Sequence, residues 1–370
     1  MTHTKKKIIL AVSNDLVSDN RVHKVAMSLV EQGNDVVVVG RKLPMSSELP
    51  QMSYKTKRFK LFFNKNMSFY AELNIRLFFY LLFSNADVYT ANDLDTLLGV
   101  YCASKIRRKP LVYDSHEYFT EVPELADNLK AKKVRLAIES YIFPKLSHCM
   151  TVCESISKIY QEKYNVPVKV VRNVPFFKTN NFDKAKVEGI ENSKVILYQG
   201  AVNMGRGLEL MIETMKLIDS AKLIIIGSGD TLIELQESVK TQNLEDKIIF
   251  LGRIHFSELP SYTQLATIGI SLEENISLNY YYALPNKVFD YIQSSIPVLV
   301  SDLPEMRSII ETYSCGEIVL DRTPEKLAYQ ITQLISNSQL LEKYSQNTIY
   351  AAQELCWEKE KETLFSVYNF

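Results

Sequence analysis

The sequence predicts two doubly wound α/β domains. Short β-branched runs alternate with longer amphipathic stretches along the chain, as in "IILAVS" (8–13) and "KVILYQG" (194–200). Continuous apolar runs of this kind are typical of parallel strands that helices cover on both faces. The runs form two series, and a chain of 370 residues is too long for one ordinary core.

The order of the runs predicts the domain boundaries. The first series occupies 8–13, 35–40, 87–91, 110–115, 149–154 and 168–173. The second series occupies 194–200, 222–229, 247–252, 268–274, 296–301 and 316–320. A polar stretch without clear periodicity separates them, and helices without a following strand end the chain. We therefore predict a first domain, a linker, a second domain and a terminal helical segment at 1–178, 179–193, 194–350 and 351–370.

Charge and composition exclude several classes of protein. The 43 basic and 43 acidic residues cancel, so no whole-molecule field attracts nucleic acid. The five cysteines form no cluster with the spacing of a zinc site, which favours small buried hydrophobes in a reducing cytosol. The longest apolar run, Leu77 to Phe83, is far shorter than the roughly 20 residues that cross a bilayer. We therefore expect a cytoplasmic protein.

Ligands of open parallel sheets bind beyond the carboxyl ends of the strands, so the residues after each run are candidates. After the first run, Arg21 lies in the first turn of a predicted helix, where a basic residue opposes the helix dipole. It is either a functional cation or a surface residue paired with Asp19 or Asp15. After the third run, Asp93 and Asp95 match an Asp-x-Asp metal pattern, although one of them can instead cap the next helix.

The fourth run is followed by a cluster of titratable residues. Asp114, His116 and Glu117 lie together at the end of this strand. An imidazole beside carboxylates is suited to sugar binding or proton transfer. The alternative is a loop histidine that is hydrogen-bonded to Glu117.

Two stretches of the second half predict an anion site. Gly200, Gly205 and Gly207 surround Arg206 before an amphipathic helix, and such glycines, a helix N-terminus and a guanidinium together suit a phosphate. "IIIGSGD" (224–230) is only half of a dinucleotide fingerprint, because Leu232 stands where the third glycine belongs.

A later helix carries more polar residues in its first two turns than capping requires. Asn286, Lys287 and Asp290 lie there, and Asn286 and Asp290 are four residues apart and share one side. The alternatives are a functional site and a capped surface helix.

The combined motifs resemble a known family. "GAVNMGRG", "IIIGSGD", "IIFLGRI" and "LPNKVFDYIQSSIPVLVSDLPEM" resemble, in order and spacing, the donor domain of GT-B glycosyltransferases, and among these family 4 of the retaining enzymes. "SNDLVSDNRVHKV", "GRKLP", "YDSHEYFTEVPEL" and "VRNVP" resemble the acceptor domain of a bacterial branch that builds surface polysaccharides. The resemblance implies the GT-B fold, with two Rossmann-like doubly wound domains and a C-terminal helix, carrying Trp357, that crosses back to the first domain.

The resemblance also implies an activity. A retaining, metal-independent enzyme without a cofactor would move a sugar from a UDP-linked donor in the interdomain cleft to a hydroxyl of a glycan or polyprenyl-linked acceptor. Two alternatives remain: a nucleotide-sugar epimerase of the same fold, and a non-catalytic scaffold that binds nucleotide-sugar. A dehydrogenase would require the complete glycine fingerprint.

Site residues follow from the resemblance position by position. Asp290 would bind the ribose hydroxyls, Arg206 the diphosphate, and His116 would approach the transferred sugar. The donor-binding set also contains Gly200, Gly205, Gly227, Gly229, Gly252, Arg253, Ile254, Glu274 and Asn286. The acceptor-side candidates are Asn14, Asp15, Arg21, Asp93 and Glu117.

Two departures from the family pattern change the predicted site. Ala201 stands where the family has an arginine, so we expect Lys287 and its helix N-terminus to supply the missing positive charge at the diphosphate. Tyr282 stands where the family has a sugar-contacting glutamate. Either Glu273 or Glu274 would then replace that acid.

One segment of the first half suggests contact with a membrane. Residues 54–79 alternate basic and aromatic side chains, as a membrane-surface segment does. The basic part, Lys55 to Lys65, would place the protein at the inner face of the cytoplasmic membrane. The apolar part, from Leu77, equally fits a core helix.

Overall fold

The computed structural model describes residues 5–17, 19–125, 128–177 and 182–370, which fold into two α/β units. Unit 1 consists of Met1–Asn173 and Glu360–Phe370, and unit 2 is Val174–Lys359. The start of the predicted linker, 179–181, and the end of the predicted first domain at 178 lie outside the described residues.

Unit 1 is built on a parallel sheet of seven strands in the order β3-β2-β1-β4-β5-β6-β7. Its strands are β1 (Lys7–Asp15), β2 (Asp35–Arg41), β3 (Lys55–Phe59), β4 (Val88–Asn92), β5 (Leu111–Ser115), β6 (His148–Thr151) and β7 (Val168–Val170). Its helices are α1 (Asn20–Glu31), α2 (Asn66–Leu82), α3 (Leu94–Arg107), α4 (Leu129–Ile142) and α5 (Glu154–Tyr164). The central strands β4 and β5 are buried at every residue, as their apolar sequences predict.

Unit 2 is built on a second parallel sheet, of six strands in the order β10-β9-β8-β11-β12-β13. Its strands are β8 (Lys194–Gln199), β9 (Ala221–Ile226), β10 (Ile248–Gly252), β11 (Ile268–Ser271), β12 (Val298–Ser301) and β13 (Gly316–Val319). Its helices are α6 (Leu208–Met215), α7 (Leu232–Thr241), α8 (Leu259–Thr263), α9 (Leu278–Tyr281), α10 (Asn286–Gln293), α11 (Pro304–Tyr313), α12 (Pro324–Ser336) and α13 (Ser338–Glu354). All six strands predicted for this half are confirmed within a few residues at their ends.

The last helix, α14 (Trp357–Val367), begins in unit 2 and continues into unit 1. Within unit 1, the Glu360 carboxylate accepts a hydrogen bond from the backbone N–H of Arg172 at 2.8 Å, and the Tyr368 hydroxyl lies 2.9 Å from the Thr90 hydroxyl. The prediction of two Rossmann-like domains with a C-terminal helix that returns to the first is therefore confirmed.

Two further features concern the surroundings of the protein. The five cysteines are unpaired, and four of them are buried. Among the helices in the described ranges, none combines the length and the apolar character that a bilayer crossing requires.

Candidate active site

The loops that follow β8, β9 and β10 pack backbone against backbone in unit 2. Gly200, after β8, donates its N–H to the Ile226 carbonyl, and Gly227, after β9, donates to the Gly252 carbonyl. Gly227 has a φ of 147°, and a Cβ there would lie 1.8 Å from the Gly200 carbonyl oxygen. Only glycine therefore allows these strand ends to approach so closely. Gly205 and Gly229 lie in the same loops, and a Cβ at either would also collide with its neighbours.

Glu273 lies beside the end of β11 and gathers the two predicted phosphate-binding cations. Its side chain is fully buried, and its Oε1 lies 2.6 Å from Lys287 Nζ and 3.6 Å from Arg206 Nη1. The second carboxylate oxygen accepts a hydrogen bond from the Ser271 hydroxyl at 2.6 Å. Lys287 comes from the first turn of α10, and its Cε would lie 3.2 Å from a Cβ at Gly200. The lysine side chain therefore lies next to the loop that contains Gly200, and its role at a diphosphate stays a prediction.

The cluster carries one more positive charge than negative charge. Burial would raise the pKa of Glu273, but the charge and the hydrogen bond of Lys287 bring it below its usual value. Burial lowers the pKa of Lys287, and Glu273 opposes that change. Two cations thus share a single carboxylate, so the cluster can attract an anion.

Aromatic rings hold these cations without neutralising them. The Arg206 guanidinium lies 4.6 Å from the centroid of the Tyr280 ring, and Lys287 Nζ lies 4.2 Å from that of Tyr198. Arg206 keeps 22% of its side chain exposed. Its buried Nε has no hydrogen-bond partner within the described residues. Arg206 therefore retains donor capacity for a ligand.

The other predicted donor-binding residues lie around this cluster and along the strand ends. Asp290, in the second turn of α10, accepts a hydrogen bond from Gln199 Nε2 at 3.1 Å, which fixes its carboxylate beside the end of β8. Asn286 is exposed at the first residue of the same helix. Glu274 is half-buried, and its Oε1 lies 3.7 Å from Arg322.

Three members of the donor-binding set, for which the family resemblance implies contact with the base, lie at the end of the edge strand β10. Gly252 is its last residue, and Arg253 and Ile254 follow it. Gly252 has a φ of 66°, Arg253 is exposed and Ile254 is half-buried. A glycine in the left-handed region lets the chain turn sharply where the strand ends. Their contact with a base stays a prediction.

His116 follows β5 in unit 1 and lies between two carboxylates. Its Nδ1 is 3.3 Å from Asp93 Oδ2, and its Nε2 is 3.2 Å from Asp114 Oδ2. The second contact is an ion pair and not a well-directed hydrogen bond, because Nε2 has no acceptor in line with its N–H among the residues that the structure describes. Burial would lower the pKa of His116, but the charges of Asp93 and Asp114 raise it to about 10. The ring is therefore an imidazolium at neutral pH.

Arg21 lies in the interior of unit 1. Its Nε and Nη2 donate to the two Asp114 oxygens at 3.0 and 2.7 Å, and its Nη1 donates to the Val171 carbonyl at 2.7 Å. The arginine is 3% exposed and the aspartate is fully buried. The alternative of a surface pair with Asp19 or Asp15 is therefore wrong. Arg21 acts on His116 through Asp114, which contacts both.

Asn14 and Asp15, two further acceptor-side candidates, are engaged locally. Asn14 is exposed and donates to Asp19 at 3.1 Å. Asp15 pairs with Arg58 at 3.2 Å and also accepts from Ser46 and from the Leu43 N–H. Burial would raise the pKa of Asp15, but these contacts lower it.

The loops after β4 and β5 account for the remaining acceptor-side residues. Glu117 is exposed, and its carbonyl accepts from the Ser115 hydroxyl at 2.9 Å. Asp93 accepts from the His116 N–H at 3.0 Å, so the residues that precede α3 support the loop that follows β5. Asp95 lies 3.3 Å from Arg135, and burial raises the pKa of its carboxyl to about 6. Within the described ranges, no group of three His, Cys, Asp or Glu side chains is arranged to hold a metal.

The sequence alone did not show that Arg21 and His116 share Asp114 as a partner. It also did not show whether Glu273 or Glu274 replaces the sugar-contacting acid of the family. The rule that ligands bind beyond the carboxyl ends of parallel strands, here called the strand-end rule, could have favoured both buried acids. Asp114 lies within the end of β5, and Glu273 lies two residues after β11.

Comparisons with known proteins agree with this architecture. Residues 19–174 match the family described as Glycosyltransferase Family 4, and residues 180–351 match Glycosyl transferases group 1. Sucrose-phosphate synthase from Thermosynechococcus elongatus superposes with a TM-score of 0.78 at 16% identity, over 98% of each chain. HepE from Anabaena, in complex with UDP-glucose, superposes with a TM-score of 0.74 at 15% identity, over 98% of this chain and 99% of HepE. These matches identify the chain as a GT-B glycosyltransferase that resembles family 4.

Curated relatives match over shorter stretches. The O-antigen chain mannosyltransferase RfbU of Salmonella typhimurium is 27% identical over 170 residues, which are 45% of each protein. The chain spans between 28% and 53% of the length of the curated relatives that it matches.

Proposed function

We propose that the protein transfers a sugar, with retention of configuration, from a UDP-sugar to a hydroxyl of a glycan or lipid-linked oligosaccharide. The observation that carries the proposal is the cationic cluster of Arg206 and Lys287 on Glu273, at the strand ends where parallel sheets bind ligands. The UDP and UDP-glucose complexes of HepE support the choice of base. The O-antigen acceptor implied by the name of RfbU supports a glycan or lipid-linked acceptor.

The cluster suits departure of a nucleoside diphosphate. Breaking the bond between the sugar anomeric carbon and the β-phosphate oxygen concentrates negative charge on that phosphate. Arg206 and Lys287 are held in place before reaction, so they stabilise the developing charge more than the ground state. In the proposed mechanism the acceptor oxygen bonds to the anomeric carbon on the same face, and its proton passes to the leaving phosphate. This pathway needs no protein nucleophile, and the fixed cations replace a metal.

His116 has a different role in this proposal. An imidazolium with its two nitrogens beside Asp93 and Asp114 is a poor general base, because it has no free lone pair at neutral pH. We therefore assign it an electrostatic role toward sugar hydroxyls on the acceptor-side unit, with Asp93 and Asp114 fixing its orientation.

Incubation with a panel of UDP-hexoses and alkyl glycoside acceptors tests the function. We expect UDP release together with a product whose anomeric configuration, read from NMR coupling constants, matches that of the donor, and we expect EDTA to leave the rate unchanged. A product of inverted configuration would overturn retention. Interconversion of the free donor without acceptor would indicate an epimerase, and a thermal shift with UDP-sugar but no turnover would indicate a scaffold.

Arg206→Ala should lower kcat by about 10²–10³-fold, because the variant lacks a charge that stabilises the leaving phosphate mainly in the transition state. Steady-state UDP release measures the effect. Arg307→Ala is a matched control, since Arg307 is a partly exposed unit 2 arginine paired with Asp302 and Glu311. An increase confined to KM would contradict the proposed role of Arg206.

A further inference from the structure

Helix α2 is apolar on two opposite sides. Phe69, Leu73, Leu77 and Leu81 are its buried residues. Met67, Ile75, Phe79 and Phe83 lie two positions away from that series, about 200° around the helix, and are 46%, 58%, 52% and 82% exposed. A helix that packs against the core on one side needs only one apolar stripe. The exposed side of α2 therefore has the apolar composition of an interaction surface.

The loop before α2 adds two exposed aromatic residues in fixed positions. Phe62 is 86% exposed and Phe63 is 54% exposed. Their backbone N–H groups both donate to the Glu72 carboxylate in the second turn of α2, at 2.9 Å. These hydrogen bonds fix the loop backbone to the helix, and both aromatic rings remain exposed to solvent. Arg76 contacts the Phe62 ring at 5.4 Å from its centroid.

Neighbouring helices extend this surface. The Asn74 side chain of α2 donates to the Asp95 carbonyl of α3 at 2.7 Å, and Arg107 at the end of α3 donates to the Ser84 carbonyl after α2 at 3.3 Å. Arg135 of α4 donates to the Tyr70 hydroxyl of α2 at 3.2 Å. We call residues 60–86, 94–109 and 128–147, which contain α2, α3 and α4, the three-helix face. Ile106 and Leu129 on this face are 61% and 67% exposed.

The charge of the three-helix face is strongly one-sided. These ranges contain twelve Lys and Arg residues and three Asp and Glu residues, in a chain whose net charge is zero. The three acids are already paired, Glu72 with Arg76, Asp95 with Arg135, and Glu139 with Lys163. Two further basic residues, Lys109 and Lys132, pair with Asp87 and Glu121, which lie just outside these ranges. The basic residues of the face still outnumber the acids in and beside it.

We propose that the three-helix face docks on the surface of an anionic lipid bilayer. Exposed aromatic and aliphatic side chains at the level of the headgroups, with Lys and Arg around them, are the combination that such a surface attracts. A second copy of the chain would oppose the same positive charge, which disfavours self-association through this face. An open pocket of about 530 Å³, lined by Phe79, Tyr80, Phe83 and Lys7 among others, adjoins the end of α2 and offers room for a lipid group.

This surface differs from the segment that the sequence indicated. Of the predicted stretch Lys55 to Lys65, Lys55 lies on the edge strand β3, where it pairs with Asp35 at 3.6 Å. Lys60 and Lys65 precede α2 and belong to the three-helix face. The basic residues of α3 and α4 are contributed by the fold, since they lie 40 or more positions farther along the chain.

Flotation with vesicles tests the docking without reference to sugar transfer. We expect the full chain to float with vesicles of phosphatidylcholine and phosphatidylglycerol, to remain behind with phosphatidylcholine alone, and to lose binding as salt increases. Reversing three exposed lysines should lower the partition coefficient by roughly 100-fold or more. The variant is Lys105→Glu/Lys130→Glu/Lys133→Glu.

The control variant for charge is Lys240→Glu/Lys326→Glu/Lys343→Glu, which alters the net charge by the same amount at three exposed residues of unit 2. It should bind vesicles as the unchanged chain does. The apolar contribution is tested by Ile75→Ser/Phe79→Ser, which should reduce binding at least tenfold. Its control is Ile233→Ser/Phe256→Ser, which alters equally exposed residues of unit 2. Unchanged melting temperatures establish that the variants are folded.

Several results would overturn the proposal. Equal flotation with neutral vesicles would show that anionic lipid is not required. No flotation with either composition would show that the face does not bind a membrane. Salt-dependent binding to an oligonucleotide without vesicle binding would assign the face to nucleic acid. Dimerisation that is abolished by Ile75→Ser/Phe79→Ser would assign it to a second copy.

Discussion

Lys287→Ala should reduce the affinity for UDP by roughly 100-fold and lower the free energy of unfolding by about 3–5 kcal/mol, because it removes a donor to the diphosphate and leaves Glu273 as a buried charge. The carboxylate is fully buried, and the remaining cation, Arg206, is 3.6 Å away. Isothermal titration with UDP and chemical denaturation measure the two effects. Lys216→Ala, at an exposed pair with Glu213, is the control and should change stability by about 1 kcal/mol or less.

Glu273→Gln separates the structural role of the pair from its role in binding. The amide keeps the shape of the side chain but leaves Arg206 and Lys287 with no opposing carboxylate, so we expect UDP affinity to rise, by roughly tenfold, while stability falls. Combining Glu273→Gln with Lys287→Met should restore much of the stability, since no buried charge is left unpaired, but not the affinity. If the Lys287→Ala variant kept its affinity for UDP, Lys287 would not be a ligand of the diphosphate.

The sequence predicted the strands of both units from their apolar runs, with the exception of β3. Its sequence, "KTKRF", holds three basic residues in five and is largely exposed, so it lacks the pattern of a buried parallel strand. Charged residues of this kind are what an edge strand carries to prevent pairing with other chains. The same basic residues also fit the pattern of a membrane-surface segment, so the sequence alone did not separate an edge strand from membrane contact.

The candidate site was predictable in its parts but not in its pairings. The position after a strand selected Arg206 and His116 from local sequence, and the excess of polar residues at the start of a helix selected Lys287. Local sequence could not show that Lys287 meets Glu273, because that contact depends on how α10 packs beside β11. Nor could it pair Arg21 with Asp114, which is 93 residues away. That contact requires β1 and β5 to lie two positions apart in the sheet, and the strand order is not written in any short stretch.

Arg21→Ala should lower the free energy of unfolding by about 3–5 kcal/mol, because it leaves the fully buried Asp114 without its bidentate partner. Arg21→Lys should recover only part of this loss, since an ammonium cannot donate to both carboxylate oxygens in the same geometry. Arg76→Ala is the matched control. Arg76 pairs with Glu72 within α2 and is 34% exposed, so we expect a change of about 1 kcal/mol or less. Equal losses in the two arginine-to-alanine variants would contradict the buried role of Arg21.

The same cluster predicts a pH dependence with opposite signs at its two ends. Burial opposes the charged forms, but Arg21 and His116 hold the pKa of Asp114 at about 2, and Asp93 and Asp114 hold that of His116 at about 10. Stability from Asp114 is therefore present above its ordinary pKa of 3.8 and is lost as the pH falls toward 2. Stability from His116 is fully present below 6.5 and is lost as the pH rises through 10.

His116→Gln isolates the alkaline part of that dependence. The difference in unfolding free energy between the unchanged protein and the variant should be a few kcal/mol near pH 6 and should shrink as the pH approaches 10, because only the unchanged protein then releases the stabilising proton. Denaturation at a series of pH values measures it, with His255→Gln, an exposed histidine of unit 2, as the control. A difference that stays constant from pH 6 to 10 would mean that His116 is neutral in the folded protein. It would then be free to act as a base, and the electrostatic role proposed for it would be wrong.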